Sequence, residues 1–289
     1  MMNGKRVRRL TLNATLVACL AAVGVACLGC ATGESKLLRR GQEFNAGGRY
    51  ASALECYNEV LAKNANSARA YEYRGLTYFS AGDFGRAIAD LSHALQLDPR
   101  LVDAYVDRGA VYTEMNDYDR ARSDFDMALM LNPESAKACN NRGTLFCKQK
   151  KFPQAVADYQ RSIELAPRRS GTHSNLGLTY LDMQDYANAR RSFETALKLS
   201  PASPVIRYYL GLTSARAKDY ARAEQEFTAV IKMKPNFVEA LEARCLARFY
   251  LKKYDDAMSD LRQVEALGKK LNPEFLQQLQ EAREGKKDK

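Results

Sequence analysis

The chain has 289 residues, enough for one or two ordinary domains. It carries 44 Lys+Arg against 34 Asp+Glu and two His, a formal charge of +10. Lys5, Arg6, Arg8 and Arg9 fall in the first 29 residues, which hold no acid, so the remainder stands at +6; its only run of like charge is Lys286-Lys287-Asp288-Lys289, too little for a dedicated polyanion binder, and no nucleic-acid partner is expected.

Met1 to Arg9 reads as the basic start of a secretion signal, and Leu10 to Leu28 as its apolar stretch. The stretch runs into Ala26-Cys27-Leu28-Gly29-Cys30. The Leu-Gly-Cys ending resembles a bacterial lipoprotein lipobox, although Cys27 stands where leucine is usual. The resemblance implies a signal peptide over 1–29, acylation (palmitate among the chains) at Cys30, and a lipidated tether over 30–35. Cys27, after Val25-Ala26, is the second candidate for the acylated residue. An uncleaved anchor is the other reading, since Leu10 to Gly29 is close to the ~20 residues that span a bilayer. Both readings put the rest of the chain outside the cytoplasm. The expected location is the bacterial cell envelope, lipid-anchored, either periplasmic or surface-facing on the outer membrane.

From Glu34 a pattern returns every 34 residues. Glycines stand at 41, 75, 109, 143, 177 and 211, alanines at 53, 87, 121, 155, 189, 223 and 257, and prolines at 99, 133, 167, 201 and 235. Within one period, Val102 to Glu114 reads as a helix with Ala104, Tyr105, Arg108, Gly109 and Tyr112 on one face. Gly109 lacks a Cβ, so a neighbouring helix can come close there. Asn116-Asp117 reads as a turn, and Tyr118 to Leu131 as a second helix presenting Ala121, Phe125, Ala128 and Leu129. Asn132-Pro133 ends it, because the residue before proline is pushed out of the α region. Such a hairpin cannot cover its own apolar face and must stack on copies of itself.

This period and these columns resemble the tetratricopeptide repeat family. The resemblance implies an all-α, right-handed superhelical solenoid of about seven helical hairpins, one elongated domain. Its units fall at 34–67, 68–101, 102–135, 136–169, 170–203, 204–237 and a divergent 238–271. Departures are Ala65 for the usual proline, Cys139 and His173 at large apolar positions, Ser214 in the Tyr112 column, and Cys245 and Lys269 in the last unit. Asn272-Pro273 then opens a capping helix over 272–284, with Phe275, Leu276 and Leu279 on one face, leaving 285–289 as a disordered tail.

Nothing in the chain spells a catalytic motif, and no enzymatic activity, cofactor or metal is expected. His93 and His173 are distant, His93 reading as surface and His173 as packing. Cys139 and Cys147 are eight residues apart on one helix, about 12 Å and too far for a disulfide. Cys56 and Cys245 lie in the first and last units, and all four read as small buried residues.

The resemblance implies that the first helices line a concave groove for peptides. Its residues here include Glu72, Tyr73, Leu76 and Phe79, then Asp107, Ala110, Thr113, Asn140, Asn141, Thr144 and Lys148, then Asn175, Leu178, Asp182, Tyr208, Tyr209, Leu212 and Arg216. Asn140, Asn141 and Asn175 are the candidate contacts to a peptide backbone, since an amide can pair with both N–H and C=O. Tyr208, Tyr209 and Tyr73 are the candidate stacking surface. The basic clamp that some relatives use for carboxylate tails is absent, with Glu72, Val106 and Asn140 at its lysine position. The expected function is a non-enzymatic scaffold for protein or peptide partners in envelope assembly or secretion. The alternative is a surface adhesin for acidic polysaccharide or host protein.

Overall fold

A computed structural model describes residues 33–270 and 272–287. The signal segment, Cys27 and Cys30 lie outside the described residues. Every regular element described is a helix. The first, α1, covers 33–46. There follow α2 (Tyr50–Lys63), α3 (Ala68–Ser80), α4 (Phe84–Leu97), α5 (Val102–Glu114), α6 (Tyr118–Leu131), α7 (Ala136–Lys148) and α8 (Phe152–Leu165). The chain continues with α9 (Ser170–Asp182), α10 (Tyr186–Leu199), α11 (Pro204–Arg216), α12 (Tyr220–Met233), α13 (Val238–Tyr250), α14 (Tyr254–Ala266) and α15 (Pro273–Lys287). Consecutive helices pair as hairpins, and hairpins pack on their neighbours in sequence within residues 50–131 and within residues 136–287. The described chain divides into two compact units, one ending at Pro133 and one beginning at Glu134, where the sequence reading has one continuous domain. Because each repeat touches only its neighbours, a junction between repeats can serve as a boundary.

Two backbone columns shape every hairpin. Between its helices sits a left-handed residue: Gly48, Gly82, Asn116, Lys150, Gln184, Lys218 and Lys252 have φ between 58° and 83°. Glycine takes this conformation freely, whereas the others bear a cost in sterics. In four turns the next residue is aspartate. Asp83, Asp117, Asp185 and Asp219 accept from the backbone N–H three residues on and cap the second helix. At the other end, the residue after the second helix is extended in the first six hairpins, for example Asn132 at φ −141°, whereas Leu267 after α14 is not, at φ −83°. Asn64 adopts φ −142° although Ala65 replaces proline, so the bend does not depend on the ring.

The glycine column is explained by one contact. A Cβ on Gly109 would lie 2.7 Å from Phe125 Cε1, and one on Gly177 2.9 Å from Phe193 Cε1. Tyr57, Leu91, Tyr159 and Phe227 press on Gly41, Gly75, Gly143 and Gly211 in the same way. In the last repeat Cys245 is fully buried in that column and the opposing residue is the smaller Leu261.

Both predicted ends are shifted. Residues 33–35, expected in the tether, belong to α1. Glu34 accepts from Ser67 Oγ at 2.6 Å and Asn64 Nδ2 at 3.2 Å, which ties the helix start to the end of the hairpin. The last helix runs to Lys287 rather than stopping at 284, so 285–287 are helical. Gly285 costs only about 1 kcal/mol within a helix, and no proline follows it to stop the propagation. Asn272 Oδ1 accepts from the N–H of Glu274 and Phe275, capping α15 as its sequence suggests. Leu279 is fully buried, with Phe275 and Leu276 packed beside it on Ala257 and Leu261.

Candidate functional site

The glycine contact delivers a polar group to the first-helix face in the fourth repeat. Tyr159, on α8, lies across Gly143 with its ring 2.9 Å from where a Cβ would be. Its hydroxyl therefore reaches the far side of α7, 3.1 Å from Thr144 Oγ1 and 3.7 Å from Cys147 Sγ. Cys147 Sγ in turn lies 2.9 Å from Thr179 Oγ1 on α9. Burial pushes the Tyr159 phenol well above its ordinary range, so it is a neutral hydrogen-bonding group. Tyr57 in the first repeat is held likewise, with burial raising it to about 12.

One turn before this cluster stand the predicted amides. Asn175 Nδ2 donates to Asn140 Oδ1 at 3.2 Å, and Asn140 Nδ2 donates to Asn141 Oδ1 at 3.0 Å. Asn141 and Asn175 share a column, yet it is Asn140 that bridges the two helices. All three are half-buried. Thr144 and Thr179 donate to the carbonyls of Asn140 and Asn175, fixing the local turn of each helix.

The predicted tyrosines fare differently. Tyr209 stacks on Phe193 with ring centroids 5.9 Å apart. Tyr208 sits 5.8 Å from Phe227 and 5.2 Å from Phe237. Both are half-buried pieces of an aromatic cluster rather than an open stacking surface, because Phe193 of the preceding repeat and Phe227 and Phe237 of their own pack against their rings. Tyr73 lies on α3 in the first unit, 6.1 Å from Tyr57, and is not part of the amide row. Glu72 and Asp107, expected to face the groove, are buried. Thr113 is buried as well, its hydroxyl donating to Gly109 O at 2.8 Å. Lys148, Asp182 and Arg216 are exposed, while Leu178 and Leu212 are half-buried.

A further column was missed. Arg108 donates through Nε and Nη2 to Asp124 at 2.8 and 2.7 Å, a bidentate pair joining α5 to α6. Its Nη1 reaches Ser92 Oγ of the preceding repeat at 3.0 Å. Arg74–Asp90, Arg142–Asp158 and Arg244–Asp260 repeat the fork. The bond to the aspartate raises Arg74 and Arg108 above the ordinary arginine value. The signal was present, as an arginine directly before the glycine column and an aspartate 16 residues later.

Among the described residues no group of three His, Cys, Asp or Glu is placed to hold a metal, and no helix is long and apolar enough to cross a membrane. Cys56, Cys139 and Cys245 are buried free thiols. Burial raises all three, Cys245 to about 12, so thiolate is scarce. His173 Nε2 lies 3.0 Å from Pro167 O, and His93 packs edge-on to Tyr71 at 4.4 Å, half-buried rather than at the open surface.

Family models described as tetratricopeptide repeat match residues 38–101, 78–140, 136–169 and 174–237, together well over half of the sequence. The chain belongs to the tetratricopeptide repeat family. No curated protein matches it in sequence. Among solved structures, this tetratricopeptide repeat chain is similar to PilF of Pseudomonas aeruginosa, at 25% identity and TM-score 0.62, over 69% of this chain and 91% of that one. It is similar to PilW, described as a type IV pilus biogenesis factor, at 20% identity and TM-score 0.64, over 69% and 92%. A tetratricopeptide repeat protein from Parabacteroides merdae aligns at 18% identity and TM-score 0.58, over 87% and 98%. YrrB, described as a tetratricopeptide repeat protein with an unusual peptide-binding site, shares the fold at 24% identity and TM-score 0.50, over 66% of this chain and 98% of that one.

Proposed function

We propose that the protein is a non-catalytic scaffold that holds an extended peptide against the first-helix face of its fourth and fifth repeats. One observation carries this reading: Asn140, Asn141 and Asn175 form a continuous, half-exposed amide row spanning α7 and α9. Each amide keeps donor and acceptor capacity for a peptide N–H or C=O. In this reading Cys30, or Cys27 in its place, carries the lipid that tethers the scaffold to the bacterial envelope.

The test is an in-cell crosslinking comparison in intact envelopes. Asn141→Ala with Asn175→Ala should remove the main crosslinked partners while the melting temperature holds. An unchanged partner profile overturns the assignment to this row. Cys30→Ser should abolish incorporation of labelled palmitate; retained labelling that is lost only in Cys27→Ser moves the anchor.

A further inference from the structure

Charge is distributed unevenly between the two units. Residues 34–133 hold 12 Lys+Arg against 15 Asp+Glu, whereas residues 134–289 hold 28 against 19. The basic excess therefore belongs to the second unit. There the hairpin turns form a basic edge. The left-handed residue is Lys150, Lys218 and Lys252 in three of its four repeats, and all three side chains are exposed. Lys151, Lys253 and Arg216 stand next to them and are also exposed. In the first unit the same column is Gly48, Gly82 and Asn116, followed twice by aspartate. Lysine at a left-handed position costs stability that glycine would avoid, so packing does not explain the choice.

Acids share this edge and offset part of its charge: Asp182, Asp255 and Asp256 are exposed, and Asp185 and Asp219 keep their negative charge while capping their helices. Glu224 pairs with Lys253 at 2.6 Å. First helices of successive repeats pack as neighbours, α7 on α9, α9 on α11 and α11 on α13, which spaces the turns at roughly 10 Å. Two apolar side chains stand among the cations: Met183 is 42% exposed beside the turn of the fifth repeat, and Tyr250 is 53% exposed beside that of the seventh.

We infer that this turn edge is a docking surface for an anionic phospholipid membrane. Lysines on a shared edge attract headgroup phosphates, and a tyrosine and a methionine among them can settle at headgroup depth. A soluble linear polyanion would use the lysines and gain nothing from Met183. The inference is independent of the amide row, which lies on another set of residues.

The experiment measures partition of the full chain onto vesicles of phosphatidylcholine, with and without phosphatidylglycerol. Any contribution of residues 1–32 is common to parent and variants. The variant Lys150→Gly, Lys218→Gly, Lys252→Gly copies the residue at 48 and 82, so its melting temperature should hold or rise. Its partition onto the anionic vesicles should fall on the order of 100-fold in low salt, with little change on the neutral ones. Met183→Ser should lower partition severalfold and leave retention on heparin unchanged. Equal binding of the parent to neutral and anionic vesicles overturns the inference, as does full binding by the triple variant. Retention on heparin without vesicle binding also overturns it and points to an acidic polysaccharide instead.

Discussion

In the third repeat Arg108 on α5 grips Asp124 on α6; in the fifth, the same two positions are Leu176 and Ser192. Leu176 packs with Ala155 and Tyr159 of the preceding hairpin, where Arg108 had bonded back to Ser92. The sixth repeat takes a third course. Leu210 is buried beside Phe193, and Glu226 is reached by Arg207 at 2.8 Å from a different position on α11. The hairpins keep one backbone plan while this column changes from a charged fork to apolar packing. The fork is thus one of several ways to register the two helices. Its bidentate geometry fixes their relative position, and its net energy is small because two charges were taken from water to make it. The aromatic pressing on the glycine is kept in both, and it carries the larger share.

That contrast can be broken experimentally. Phe125→Ala in the third repeat and Phe193→Ala in the fifth should each cost about 3–5 kcal/mol in chemical denaturation, and the two costs should be similar. A difference above about 2 kcal/mol would mean that the fork in the third repeat shares the aromatic's task. Asp124→Ala should cost about 3 kcal/mol by stranding Arg108, while Ser192→Ala should stay under about 1 kcal/mol. Installing the fifth-repeat pair in the third, Arg108→Leu with Asp124→Ser, should recover most of the Asp124→Ala loss. If the double variant is as unstable as the single one, apolar packing cannot stand in for the fork.

The smallest effect is electrostatic and separates the repeats by their caps. Asp83 and Asp185 are held below the usual carboxylate value chiefly by the backbone N–H they cap, and Asp117 chiefly by the Arg120 side chain. A lowered carboxylate stabilises the fold above its ordinary value near 3.8, and that contribution is lost as pH falls through the lower folded value. The melting temperature of the parent should therefore drop below about pH 4. Asp117→Asn with Asp185→Asn should flatten that drop. A parallel curve would show that the caps hold no pH-dependent stability. The fourth and seventh repeats, with Lys151 and Lys253 at the cap position, contribute nothing to it.

The residues of the candidate row could be named from the sequence in a particular way. Asn141 and Asn175 stand out because they differ from the other copies at one column, and difference is what a repeat sequence displays. Asn140 was legible as a candidate but not as the bridge, because hydrogen bonding between α7 and α9 depends on how the helices are rotated. Tyr208 and Tyr209 misled for the same reason: composition shows an aromatic pair, and only packing shows that Phe193, Phe227 and Phe237 already occupy their faces. The overall charge misled too, since an average over 289 residues hides a slightly acidic stretch over 34–133 and a basic one over 134–289.

The 34-residue period by itself determined the helices, their order and the glycine and proline columns, because stacking identical hairpins demands the same small and large residues at the same places. Even the bounds of α5 and α6 follow from it. Tertiary structure alone decided which residue each glycine makes room for, where Arg108 spends its donors, which polar side chains stay open, and that the turn lysines share one edge. Those are facts about rotation and approach between helices, and a linear pattern records spacing but not direction.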